Sequence, residues 1–188
     1  MKSFEITLNK YLEIFLNQEM YFTEDIRCLD FFKAHPTNTD AMDIRTKISA
    51  INDREVHEGE FANDLVGHIQ KLNIDSRLQK KDLSVVEEIA HLNVRGKSFH
   101  LLAFASLYCS LHHPTVFPVY SEQHFQFYKT WIVQRKLPLD PEKLNNYLVF
   151  SSALNLLVEQ LHLTGKMNYL QIRKFGWLYA ESVLKESE

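Results

Sequence analysis

Apolar residues recur every three or four positions along most of the chain, the spacing of one face of an α-helix. Phe4, Leu8, Leu12 and Phe15 form the first such stripe. Thr23 stands where it caps a second helix with Ile26, Leu29 and Phe32 inward, and His35-Pro36 stops it. Thr39 is the expected cap of a third, carrying Ile44, Ile48 and Ile51. After a polar link from Asn52 to Glu60, Phe61, Leu65 and Ile69 make a fourth stripe that ends near Asn73. Asp82 or Ser84 opens a short helix through Val86, Ile89 and Ala90. The run from Ser98 to Leu111 is apolar on nearly every side, as a helix buried on most faces must be. Ser121 is read as the cap of a helix with Phe125, Tyr128 and Ile132. Asp140-Pro141-Glu142 puts a cap, a first-position proline and a first-turn acid in order. It predicts a helix through Leu144, Leu148, Leu154 and Leu161, stopped at Gly165. The last helix is predicted over Tyr169 to Lys185, with Ile172, Phe175, Tyr179 and Val183 buried. No strand-like alternation persists beyond four or five residues. The pattern predicts an all-α protein, a compact bundle of about nine helices.

Composition agrees with that class and narrows the setting. The 188 residues fit one domain, or two tightly joined lobes, and the 13 Phe and 8 Tyr supply apolar surface for a core. Only 5 Gly and 5 Pro argue against a turn-rich β architecture. A net charge of -3 excludes coating nucleic acid through bulk charge, but leaves room for a local basic patch. Cys28 and Cys109 lie in apolar helical contexts and read as buried thiols in a reducing compartment. The opening "MKSFEITLNKYLEIFLNQE" is interrupted by charges, unlike a signal peptide or a membrane span. No run of about 18 apolar residues occurs. A cytoplasmic protein with no membrane partner is expected.

Candidate chemistry is sparse outside one region. His57 and His68 are eleven positions apart, about three turns along an ideal helix and too far to hold one ion, and the adjacent His112-His113 cannot share a helical face. Neither H-x-x-x-H nor C-x-x-C spacing occurs, so neither a metal nor a cofactor is expected. Serine-nucleophile motifs, G-x-G-x-x-G and the P-loop are absent. Glu87-Glu88 reads as a solvated face, and "RLQKK" from Arg77 to Lys81 as a small solvated basic cluster. The stretch from His91 to Phe125 differs. A turn of Arg95-Gly96-Lys97 at a helix start would expose N–H groups at the positive end of the helix dipole, beside two cations. Such a corner binds a nucleic-acid phosphate. A second helix would begin at Ser121, after a proline-framed apolar loop, so two helix starts would flank one cleft spanning residues 95–124.

The blocks "ISAIND", "LVGHIQKLNIDSRL", "VRGK" and "FASLYCSLHHPTVFPVYSEQH" also occur in a telling order. The chain resembles the helix-hairpin-helix DNA glycosylase superfamily, whose hairpin runs L-P-G-V-G-x-K where this chain has "LNVRGKSFH". It resembles more closely a group of short bacterial glycosylase-like proteins with "LNID-R", "I-G-K" and "FASKYCSFHNP…YPIYD" patterns. The likeness covers the chain from about Ile48 to Trp131. It implies a single glycosylase-like helical domain that binds double-stranded DNA, flips out a damaged or modified base and excises it by breaking the N-glycosidic bond. It also implies a role in defence against modified phage DNA. In bifunctional relatives a lysine attacks the sugar carbon; Lys97 matches it, although a free lysine near pKa 10.4 must first be depressed. Arg95, Gly96, Lys97 and Ser98 would hold the DNA backbone, while His100, Phe117, Tyr120 and His124 would face the base. The family's catalytic carboxylate position reads Ser121 here. Glu122 is adjacent but about 100° further round an ideal helix, and the lysine of "ASK" reads Leu107. A DNA-binding module without catalysis and a helical protein-interaction partner are the rival readings.

Overall fold

The computed structural model describes residues 9–15, 17, 23–52, 61–122 and 125–185. Among them the chain forms ten α-helical segments and one β-hairpin. Helix α1 covers residues 9–15. It is followed by α2 (Thr23–Ala34), α3 (Ala41–Asn52), α4 (Ala62–Leu72), α5 (Asp75–Gln79) and α6 (Ser84–Ala90). Strands β1 (His91–Val94) and β2 (Lys97–His100) lead into α7 (Leu102–His112). Helices α8 (Phe125–Arg135), α9 (Tyr147–Gln160) and α10 (Tyr169–Lys185) complete the bundle. Among the described residues no helix is long and apolar enough to cross a membrane.

Helix α7 is the axis of the core. Leu102 and every residue from Phe104 to Leu111 are buried, so the helix that is apolar all round is also enclosed all round. It packs against α2, α3, α6 and α10. Side chains from distant segments meet there: Phe15 lies edge-on to Phe175, and Phe32 edge-on to Tyr108. Both cysteines are free and buried, and burial pushes the Cys109 thiol far up. Leu107 is a core residue.

Several helix ends differ from the sequence expectation, each for a local reason. The third helix is capped by Asp40, not Thr39: Asp40 Oδ1 accepts the N–H groups of Met42 (2.8 Å) and Asp43 (3.0 Å). Asp140 caps only a 3₁₀ turn, Pro141–Lys143. A second cap, Asn146, interrupts with extended backbone and accepts from Leu148 and Val149, so α9 begins at Tyr147. Ile26, expected inward, is 52% exposed. The first helix's Phe4 and Leu8, and the side chains of Tyr179 and Val183, fall outside the described residues.

The largest difference lies at Arg95-Gly96-Lys97. The chain does not start a helix there, and the predicted helix over Ser98 to Leu111 begins only at Leu102. Residues 91–100 instead form an antiparallel ribbon pairing His91 with His100 and Val94 with Lys97. Arg95 (φ 50°) and Gly96 (φ 77°) form its two-residue turn. Positive φ at both central positions is the signature of a type I′ turn, whose twist matches that of the strands. That explains the glycine: it meets a backbone demand that other residues meet only at a penalty. Leu92 buries itself beneath the ribbon, Phe99 packs on Phe61 (4.5 Å between ring centroids), and Leu101 N–H bonds to Ala90 O (2.8 Å), closing the ribbon onto α6.

Candidate functional site

Asn38, in the loop between α2 and α3, is 2% exposed and gathers four segments of chain. Its backbone N–H donates to both oxygens of Asp75 (3.0 Å each), and its Nδ2 donates to Asp75 Oδ1 (2.7 Å). Its Oδ1 accepts from Tyr108 Oη (2.5 Å) and from Lys47 Nζ (3.0 Å), with His112 Nε2 at 3.3 Å. Lys47 also donates to Thr37 O (2.9 Å) and lies 5.4 Å from the centre of the Phe32 ring. The network persists in an apolar interior because its members satisfy one another.

Burial sets the electrostatics of these groups. It lowers the Lys47 amine to about 8, against the upward pull of Asp75 and Asp43. It lowers the His112 imidazole to about 3, with Lys47 and His113 adding to the shift, so His112 is neutral at pH 7. His113 is also lowered, by burial and then by Lys81. Tyr108 is raised by burial and stays a phenol donor.

Against this network lies a cavity of about 620 Å³, between the end of α2, the 36–37 loop, α5 and the end of α7. Leu29, Phe32, Leu78 and Leu111 give it apolar walls; Asp30, Lys33, Asp75, Gln79, His112 and His113 give it polar groups. Asp75 belongs to both features, with the Asn38 N–H groups holding its carboxylate at the cavity wall. An apolar slot with a fixed acceptor and imidazoles suits a flat ligand that carries N–H donors.

The residues singled out from sequence lie elsewhere. Arg95, Gly96, Lys97 and Ser98 are exposed on the ribbon, and Lys97 opens a strand, so the anion-binding helix start expected there is not formed. Phe117 and Tyr120 are core residues: Phe117 is fully buried, and Tyr120 lies edge-on to Phe150 while its N–H donates to Ser106 Oγ (2.9 Å). Ser121 is half-buried and Glu122 exposed; His124 lies outside the described residues. None of the described ones among them lines the cavity. His100 meets Glu87, with Nε2 2.9 Å from Oε2.

Two further expectations change. Glu87 and Glu88 are not a plain solvated face: Glu87 Oε1 accepts the Tyr147 N–H (2.6 Å) at the start of α9, and Glu88 pairs with Arg77. Arg77 of the basic cluster is likewise engaged, bonding Asp82 (2.9 Å) and Ser84 (2.8 Å) as well. The bonds to Glu88 first, and then to Asp82, raise the Arg77 guanidinium further and keep it charged.

The cavity was legible only in fragments. Asp75 stands in "LNIDSRL", and Tyr108, His112 and His113 in "FASLYCSLHHP". A family model described as an N-terminal domain, HI_0787_N, matches residues 7–116. The chain belongs to that family. The HI_0787_N segment contains every residue that lines the cavity, together with Asn38, Lys47 and Tyr108, and ends before Phe117. An uncharacterized protein of Haemophilus influenzae is 26% identical over 119 residues, covering 62% of this chain and 55% of the relative. The chain thus spans about half the length of the curated relative it matches. No solved structure matches it.

Proposed function

We propose that the protein is a glycosylase-like domain of the helix-hairpin-helix type that takes a single DNA base into the cavity beside Asn38. The observation that carries this reading is Asp75, a carboxylate fixed by Asn38 N–H groups on the wall of a cavity floored by Phe32. It supplies the negative charge that the Ser121 position lacks. In excision the N-glycosidic bond breaks with its electron pair leaving on the base, water adds to the cationic sugar, and the proton that the water loses neutralises the departed base. A fixed carboxylate stabilises that cation by preorganised electrostatics.

The exposed cations Arg95 and Lys97 at the ribbon turn support the same reading. Their exposure favours phosphate contacts over covalent attack by Lys97. The buried Lys47 is held by two oxygen acceptors and serves the network.

The test is duplex DNA carrying a panel of lesions and modified cytosines, with binding followed against salt and strand breaks counted after alkali. Expected are salt-sensitive binding, a log–log salt slope reduced by about one in each of Arg95→Ala and Lys97→Ala, and breaks lost in Asp75→Asn. Salt-sensitive binding without breaks selects the non-catalytic DNA-binding module. Absence of salt-sensitive binding defeats both DNA readings and leaves the protein-interaction partner.

A further inference from the structure

We propose that Glu87, His91 and His100 form a binding site for a zinc-class divalent cation at the base of the ribbon. One ligand atom from each residue lies within 4.8 Å of the others. The arrangement follows from the fold. His91 and His100 are direct cross-strand partners, in a register fixed by the Arg95-Gly96 turn, and their ring centroids are 4.5 Å apart. Glu87 lies one helical turn before His91, so its carboxylate rises beside the rings, with Oε2 2.9 Å from His100 Nε2.

What distinguishes the trio from a chance cluster is its outer support. Glu87 Oε1 is held by the Tyr147 N–H, which leaves Oε2 as the oxygen offered to a cation. His91 Nδ1 lies 2.7 Å from Glu87 O; in the neutral ring this bond puts the proton on Nδ1 and the lone pair on Nε2. Ligating imidazoles and carboxylates are commonly held by such outer hydrogen bonds. The donor set is two imidazoles and a carboxylate. It suits zinc, is poor for magnesium, and leaves a fourth tetrahedral position for water or a small anion. Both histidines are largely exposed, so the cation has a path in. H-x-x-x-H spacing does not reveal this site because its two histidines are joined across strands.

The proposal is independent of the cavity and of DNA. It is tested by titrating zinc ions into the full chain by calorimetry, with the histidine ring resonances followed by NMR. One zinc per chain is expected, shifting the His91 and His100 rings, with magnesium ions giving no response. His91→Ala and His100→Ala should each weaken binding by more than the roughly 10–100-fold loss typical of removing an outer partner. Glu87→Gln, whose amide oxygen still accepts the Tyr147 N–H, should weaken it too. Absence of zinc binding by the native chain overturns the proposal. So does affinity that survives either histidine variant, which would move the zinc to other histidines.

Discussion

The Asn38 network and the ribbon use the same functional groups to opposite ends. Each brings together carboxylate and imidazole, and each carries a lysine. Around Asn38 the groups are enclosed and turned toward one another: Lys47 has two oxygen acceptors, and the Asn38 carbonyl oxygen has several donors. On the ribbon His91 and His100 face water, and Glu87 keeps one oxygen toward them. Side-chain type therefore does not identify a site. What matters is whether the hydrogen-bonding capacity is already used, and how costly it is to interrupt.

That contrast is broken most directly at Asn38. Asn38→Leu should destabilise the fold by about 3 kcal/mol, because Tyr108 Oη loses its acceptor, Lys47 keeps only Thr37 O, and Asp75 keeps only the backbone N–H of residue 38. Urea denaturation measures this, and a loss below about 1 kcal/mol would make the network no stronger than a surface ion pair.

Next in size is the acid response. His112 is held near 3 in the fold and returns to about 6.5 when unfolded. The unfolded chain therefore binds more protons between these values, and stability falls as pH drops through that window. The slope approaches about 1.4 kcal/mol per pH unit from this group alone, and His112→Gln should remove that part of it in urea melts across pH 4 to 7. Lys47, lowered to about 8, adds a limb of the same sign at alkaline pH: stability should rise from about pH 8 toward pH 10.4 and flatten in Lys47→Met.

Smaller effects belong to the ribbon. Gly96→Ala places a side chain at φ 77° and should cost about 1–2 kcal/mol in thermal or urea unfolding. Without added metal, His100→Ala should change stability by no more than about 1 kcal/mol, the range of an exposed pair. A larger loss would show that the ribbon behaves like the Asn38 network after all.

The fold was read well wherever burial imposed a long period. The stop at His35-Pro36, the enclosed helix α7 and the span of α10 follow from stripes and breakers alone. The ribbon escaped because each strand has only four residues, too few for alternation to stand out from a helix-like run. Its turn carries Arg-Gly rather than Asn-Gly or Asp-Gly, the stronger hairpin signals. The cavity escaped for another reason. Asn38 meets partners 37 and 70 positions away, and no local pattern announces contacts at that distance. The available clues were polar residues set among buried ones: Lys47 beside Ile48, and Tyr108 and His112 one turn apart on the most apolar helix.

The bond from Glu87 to the Tyr147 N–H has a counterpart in Pro114, whose carbonyl accepts the Tyr169 N–H (2.8 Å). Both join the segment matched by the family to helices that follow it, while α9 packs on α6 and α10 on α7. A chain cut after residue 116 would lose the partners of those two oxygens and uncover part of its most apolar helix. The edge of the family match at residue 116 is thus bridged by hydrogen bonds and packed helices, and a chain cut there is expected to lose stability.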